Sequence, residues 1–149
     1  MDATNRVEVF AAVVDDIIKL SVSRPRQTNR ALSLVGQTEL EHFHVTLARL
    51  DDLGIAIQGD AQLPMPPASL RLDDKVYAVR DGEKVSCYVL LCAADQGQLR
   101  DYVRKCEERL GYSGLLDVDR LFHVTVSNSG GGGVRASVGS VWKHPSWLV

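Results

Sequence analysis

The chain has 149 residues, of which 45% are hydrophobic, enough for one domain over residues 1–149 with a buried core. A formal net charge of −2 excludes the strong positive field that holds long nucleic acid, so a nucleotide-like partner is expected to be small: a nucleotide or a short RNA. Cys87, Cys92 and Cys106 lack the paired spacing of a zinc or redox motif. No apolar run is long enough to cross a bilayer, and the first residues lack a secretory pattern. The expectation is a cytoplasmic protein (the host cytoplasm if the source is viral) with reduced cysteines and no membrane partner.

Residues 7–20 carry two overlapping signals. Phe10, Val13, Val14, Ile17 and Ile18 fit a helix, while Val7-Glu8-Val9 alternates like a strand. Residues 22–30 read as a polar loop, and 41–49 alternate as a strand. From Asp51 to Pro67 the chain is rich in Gly, Pro and Asp, which marks a hinge where two lobes meet. Three strands follow, at Ser69–Leu72, Val76–Val79 and Val85–Cys92, the last two joined by a tight turn at Asp81-Gly82. Leu99, Tyr102, Val103, Cys106 and Leu110 recur at helical spacing, with Asp95 and Gln98 placed as a capping box and Gly111 just past the end. This predicts a helix over 96–110. Residues 120–128 alternate again, Gly130–Gly133 make a loop, and Ser137–Trp142 form a last strand. The class is α+β with a largely antiparallel sheet.

Two segments share the core Phe-His-Val-Thr-apolar: Phe43-His44-Val45-Thr46-Leu47 and Phe122-His123-Val124-Thr125-Val126. Alternation along a strand puts His44 with Thr46 on one face, and His123 with Thr125 and Ser127, while the apolar residues anchor the other face. With four histidines in the chain, chance supplies two such matches roughly once in a thousand. The chemistry that uses such a pair is metal-free cleavage of a phosphodiester. One imidazole takes the proton of the attacking oxygen, the other protonates the leaving oxygen, and the threonine hydroxyls donate to the non-bridging oxygens.

The paired motif, the small size and the α+β pattern resemble the two-histidine (2H) phosphoesterase superfamily. The resemblance implies a bilobal, pseudo-twofold domain with antiparallel sheets, flanking helices and a central cleft. It implies catalysis by His44 and His123, phosphate binding by Thr46 and Thr125, and no metal or other cofactor. Within the superfamily, the layout from Val85 to Val126 is similar to the uridylate-trimming RNA exonucleases. The compact length and the ending His-Val-Thr-Val-Ser-Asn followed by glycines look more like the small phage enzymes that destroy cyclic-nucleotide alarm signals of anti-phage systems. The resemblance thus favours a small cyclic nucleotide, with hydrolysis of 3′-5′ or 2′,3′-cyclic diesters, over RNA-end processing.

Further candidate contacts are Ser127, Asn128, Arg49 and Arg135 for phosphate or base. Tyr77, Tyr88, Trp142 and Trp147 are candidate stacking rings. The glycine run is either a mobile connection, a lid or a phosphate cradle. His144 reads as a surface residue. Three other readings stand beside the phosphodiesterase: ordinary half-buried strands, a metal site of His42, His44 and His123, and a nucleotide-binding module without catalysis.

Overall fold

The computed structural model describes residues 5–57, 62–129 and 145–149. Gly130–Gly133, Arg135, the strand expected at Ser137–Trp142, Trp142 itself and His144 lie outside the described residues. The class is α+β, as expected. Among the described residues nine strands form one sheet: β1 (Arg6–Val14), β2 (Ile17–Val22), β3 (Gln37–Glu39), β4 (Phe43–Arg49), β5 (Ser69–Arg71), β6 (Tyr77–Asp81), β7 (Lys84–Leu90), β8 (His123–Ser129) and β9 (Ser146–Leu148). Three helices accompany it among the described residues: α1 (Thr28–Ala31) and α2 (Leu50–Leu53), each one turn long, and α3 (Ala93–Leu110).

The ambiguous segment 7–20 is a β-hairpin, not a helix. Ile18, Leu20 and Val22 are buried and face the core, whereas Lys19 and Ser21 between them stay half-exposed, so the two-residue period of β2 prevails. Phe10, which the helical spacing assigned to the core, is the extra residue where the β1–β2 register shifts, and it is 66% exposed. The segment 22–30, expected to be a polar loop, instead contains the start of α1 and buries Gln27 and Thr28. Gln27 donates to the Asp73 carbonyl at 2.8 Å, which accounts for its burial.

The sheet order is β5-β1-β2-β4-β8-β7-β6-β9, with β3 also on β8, and every pairing is antiparallel. Read outward from the β4–β8 contact, four strands lie on each side. Each side holds one strand–strand–helix–strand succession, β1-β2-α1-β4, which β3 interrupts, and β6-β7-α3-β8, with β5 and β9 added at the two edges. Residues 62–67 lead into β5, which pairs with β1, and Leu72 then bridges Leu91.

One face of this sheet carries the core. Leu20, Val45, Cys87, Val89, Val124 and Val126 join a single apolar cluster with Leu99, Tyr102, Val103 and Cys106 of α3. The helix starts three residues earlier than its periodicity predicts and ends at Gly111, whose φ of 74° is the left-handed conformation glycine adopts without steric cost. The capping box does not form. Cys92 occupies the N-cap position, and Asp95 instead accepts the Arg71 amide at 2.7 Å, tying α3 to β5.

Candidate active site

Val45 and Val124 are register partners, and both are wholly buried on the core face. Their neighbours therefore emerge on the opposite face, away from α3. One step either side of the pair, the antiparallel register sets His44 beside Thr125 and Thr46 beside His123. The two motifs thus form a single four-residue cluster related by a local twofold axis. They share one sheet, with no gap between sheets separating them.

Sequence reasoning missed a feature that strengthens this symmetry. On β2, Lys19 pairs with Thr46 and Ile18 with Ala48, which leaves Leu47 as an extra residue. On β7, Tyr88 pairs with Thr125 and Cys87 with Ser127, which leaves Val126 as the extra residue. Both motifs therefore end in a β-bulge at their last, apolar position, and both bulged side chains are buried.

Each bulge reverses the side-chain phase beyond it. Strict alternation would send Arg49 into the core with Val45 and Leu47; the bulge returns it to the histidine face, opposite Ile17. The same slip overturns the expectation for Ser127. It pairs with the core residue Cys87, is 0% exposed and donates to Gln37 Oε1 at 2.6 Å, so it does not extend the polar row of His123 and Thr125. Asn128 takes the position equivalent to Arg49 and accepts a 2.7 Å bond from Ser86 Oγ.

His123 is the more constrained of the two histidines. Its Nδ1 lies 3.0 Å from the Leu121 carbonyl oxygen. A carbonyl only accepts, so Nδ1 carries the proton and Nε2 is left for chemistry. The Tyr88 ring meets the imidazole edge-on, with centroids 5.5 Å apart, and Tyr77 stacks behind Tyr88 at 5.7 Å. Burial pushes the His123 pKa down to about 4, and the Arg120 guanidinium and His44 add to the fall against an opposing contribution from Leu121. Burial also lowers the His44 pKa, helped by Lys19 and Arg49. Both imidazoles are thereby biased toward the neutral form.

The chain entering His123 is held by Gln96 of α3. Its Nε2 donates to the Phe122 carbonyl and its Oε1 accepts from the Phe122 amide, both at 2.8 Å. Gln96, Lys19 and Arg120 were not singled out from the sequence. Lys19 was legible only once residues 17–22 were known to be a strand, because its parity there is that of Ser21 across from His44.

The remaining candidates divide. Arg49 lies near His44. Trp147 pairs with Ala78, packs on the main core and carries the Arg80 guanidinium 5.6 Å from its ring centroid. His42 is exposed, outside the regular strand that begins at Phe43. Among the described residues no three His, Cys, Asp or Glu side chains are grouped to hold a metal ion. Beside His44 lies a groove of about 770 Å³ lined by Phe10, Asp15, Lys19, Arg24, Glu41 and His42 among others, within the size range of small-molecule sites.

No protein-family model, curated protein or solved structure matches the chain.

Proposed function

We propose that the chain is a metal-independent phosphodiesterase of the two-histidine type, acting on small nucleotides, with cyclic oligonucleotide signals of anti-phage systems as the preferred substrate. The observation that carries this reading is the twofold cluster of His44, Thr46, His123 and Thr125 around the Val45–Val124 pair, with matching bulges after each motif. On this reading the two runs flanking the cluster are the two lobes of a pseudo-twofold domain.

The scissile phosphate sits over the four side chains, its non-bridging oxygens accepting from Thr46 and Thr125, with Lys19 and Arg49 offsetting its charge. His123 Nε2, neutral at pH 7, removes the proton from the attacking hydroxyl or water as that oxygen bonds to phosphorus. The bond to the leaving oxygen breaks on the opposite side, and protonated His44 supplies its proton. Attack by a ribose 2′-hydroxyl yields a 2′,3′-cyclic phosphate and a free 5′-hydroxyl; attack by water yields a monoester. The groove beside His44 then receives the leaving nucleoside, with Phe10 available for base stacking.

The test is product analysis on linear RNAs, 2′,3′-cyclic nucleotides and cyclic dinucleotides with EDTA present. Turnover of a cyclic or short diester, unchanged by chelator and abolished by His44→Ala or His123→Ala, is the expected result. Loss of activity with EDTA, or binding with no turnover of any diester, refutes the proposal.

A further inference from the structure

The local twofold axis equates more than the two motifs. The cross-strand partner of Thr46 is Lys19 on β2, and the cross-strand partner of Thr125 is Tyr88 on β7. Three residues beyond each threonine, Arg49 on β4 corresponds to Asn128 on β8. The two half-sites are therefore alike in histidine, threonine and bulge but unlike beside them. The His44 half holds two cations, both of which act electrostatically on His44, whereas the equivalent positions of the His123 half hold an aromatic ring and an amide.

Lys19 is the more available of the two cations. It is half-exposed, on the face opposite its buried neighbours Ile18 and Leu20. Among the described residues it forms no ion pair, whereas Arg49 lies 3.8 Å from Asp51. Lys19 also lines the groove beside His44, so it stands between the threonine that holds the phosphate and the space that receives the departing nucleoside. Arg120, which acts on His123, is buried, with 5% of its surface exposed.

The two apical oxygens of a phosphoryl transfer have opposite needs. The leaving oxygen gains negative charge as its bond to phosphorus lengthens, and a cation beside it acts more strongly in the transition state than on bound substrate. The attacking oxygen gives its proton to an imidazole that turns cationic, and an ammonium there opposes the transfer. A free cation on one half alone gives the site a direction.

We propose that Lys19 is a catalytic residue whose ammonium meets the leaving oxygen, so that a diester binds one way round, with its leaving oxygen on the His44 half and its attacking oxygen on the His123 half. The proposal rests on the phosphodiesterase reading and adds a role and a direction to it. When a ribose 2′-hydroxyl attacks, its oxygen bonds to phosphorus and its proton goes to His123 Nε2. The P–O5′ bond breaks, its electron pair stays on O5′, and His44 supplies the proton that O5′ takes up. Lys19 transfers no proton and stabilises the charge on O5′ until that proton arrives.

Sulfur in place of the leaving oxygen tests this, because a thiolate is a far weaker base than an alkoxide and leaves with little help from a proton or a cation. Rates are measured with EDTA present on cyclic di-AMP and on linear ApA, each as the ordinary diester and as its 5′-thio analogue. Lys19→Met keeps most of the side chain's length and should slow the oxygen esters roughly 10-fold or more beyond its effect on the sulfur esters. Lys19→Gln should do the same, and Lys19→Arg should recover most of the difference. His44→Ala should share this selectivity, while His123→Ala slows both esters alike; thermal melting checks that each variant is folded. Equal slowing of the two esters by Lys19→Met, or selectivity in His123→Ala in place of His44→Ala, overturns the proposal and leaves a phosphodiesterase. Failure of the native protein to cleave any of these compounds removes the catalytic reading and the proposal with it.

Discussion

The His123 Nδ1 bond to the Leu121 carbonyl, 3.0 Å long, and the edge-on Tyr88 ring together fix one imidazole more firmly than its twofold mate. The backbone symmetry of the motifs is therefore broken at the level of protonation. His123, the one pushed down to about 4, is suited to begin a reaction neutral, which leaves the acid's role to His44 although its own pKa is lowered as well.

This division predicts the pH profile. The reacting form of the free enzyme has His123 unprotonated and His44 protonated. The His123 pKa of about 4 sets the acidic limb, and a His44 pKa below the usual imidazole value sets the alkaline limb. A plot of kcat/KM against pH should be bell-shaped with its maximum on the acid side of pH 6.5, the limbs being apparent values of the pair. A maximum above pH 7 would refute the lowered pKa values of the pair. Bound phosphate favours both imidazolium forms, so the kcat profile should lie at higher pH than that of kcat/KM.

Removal of either imidazole, as in His44→Ala or His123→Ala, should lower kcat roughly 10²- to 10⁴-fold by the usual worth of a general acid or base. Thr46→Val and Thr125→Val keep shape and lose only the hydroxyl donor. A loss of about 10- to 100-fold in kcat is expected for each, in keeping with stabilisation of charge that grows in the transition state. Kinetics of the four variants on one diester decide this, and an unaffected threonine variant would remove that residue from the site.

The motifs themselves were fully legible in the sequence, because a period-two pattern states which residues share a face. Helix α3 was legible too, from Leu99, Tyr102, Val103 and Cys106 at helical spacing. What strands cannot announce is an extra residue: Leu47 and Val126 look like ordinary core positions, and only the register with β2 and β7 shows that they are bulges. That one irregularity decided the opposite fates of Arg49 and Ser127. The hairpin at 6–22 was obscured for a different reason, since valine and isoleucine runs satisfy both periods until Asp15 and Asp16 are known to make the turn.

Stability should depend on the same imidazole. In the unfolded chain a histidine takes a proton near pH 6.5, whereas folded His123 resists it until about pH 4. Below pH 6.5 the unfolded state binds more protons, so stability is fully present above that value and falls as the pH drops toward 4. The loss is at most about 3 kcal/mol, less in so far as the ring keeps some solvent access. Thermal melts between pH 4 and 6.5 should show a smaller decline in His123→Asn than in the native chain. Equal slopes would mean that His123 titrates normally.

Gln96 supplies the last test, because it separates holding the site from performing chemistry. Its amide satisfies both the N–H and the carbonyl of Phe122, which are buried beside α3. Gln96→Leu fills similar space but leaves those two groups without partners, at about 1–3 kcal/mol each. The expected result is a fall in stability of about 2–5 kcal/mol and, in the fraction that remains folded, a lower kcat because His123 is no longer held in place. Gln96→Glu keeps one acceptor for the Phe122 amide and sets a carboxylate against the Phe122 carbonyl. When ionised that side chain repels the carbonyl; when protonated it restores the donor, so stability should recover at acid pH, in the direction opposite to the His123 effect. Melting curves of the two variants across pH 4–7 distinguish the contributions, and a Gln96→Leu protein as stable and active as the native one would show that α3 does not position the second histidine.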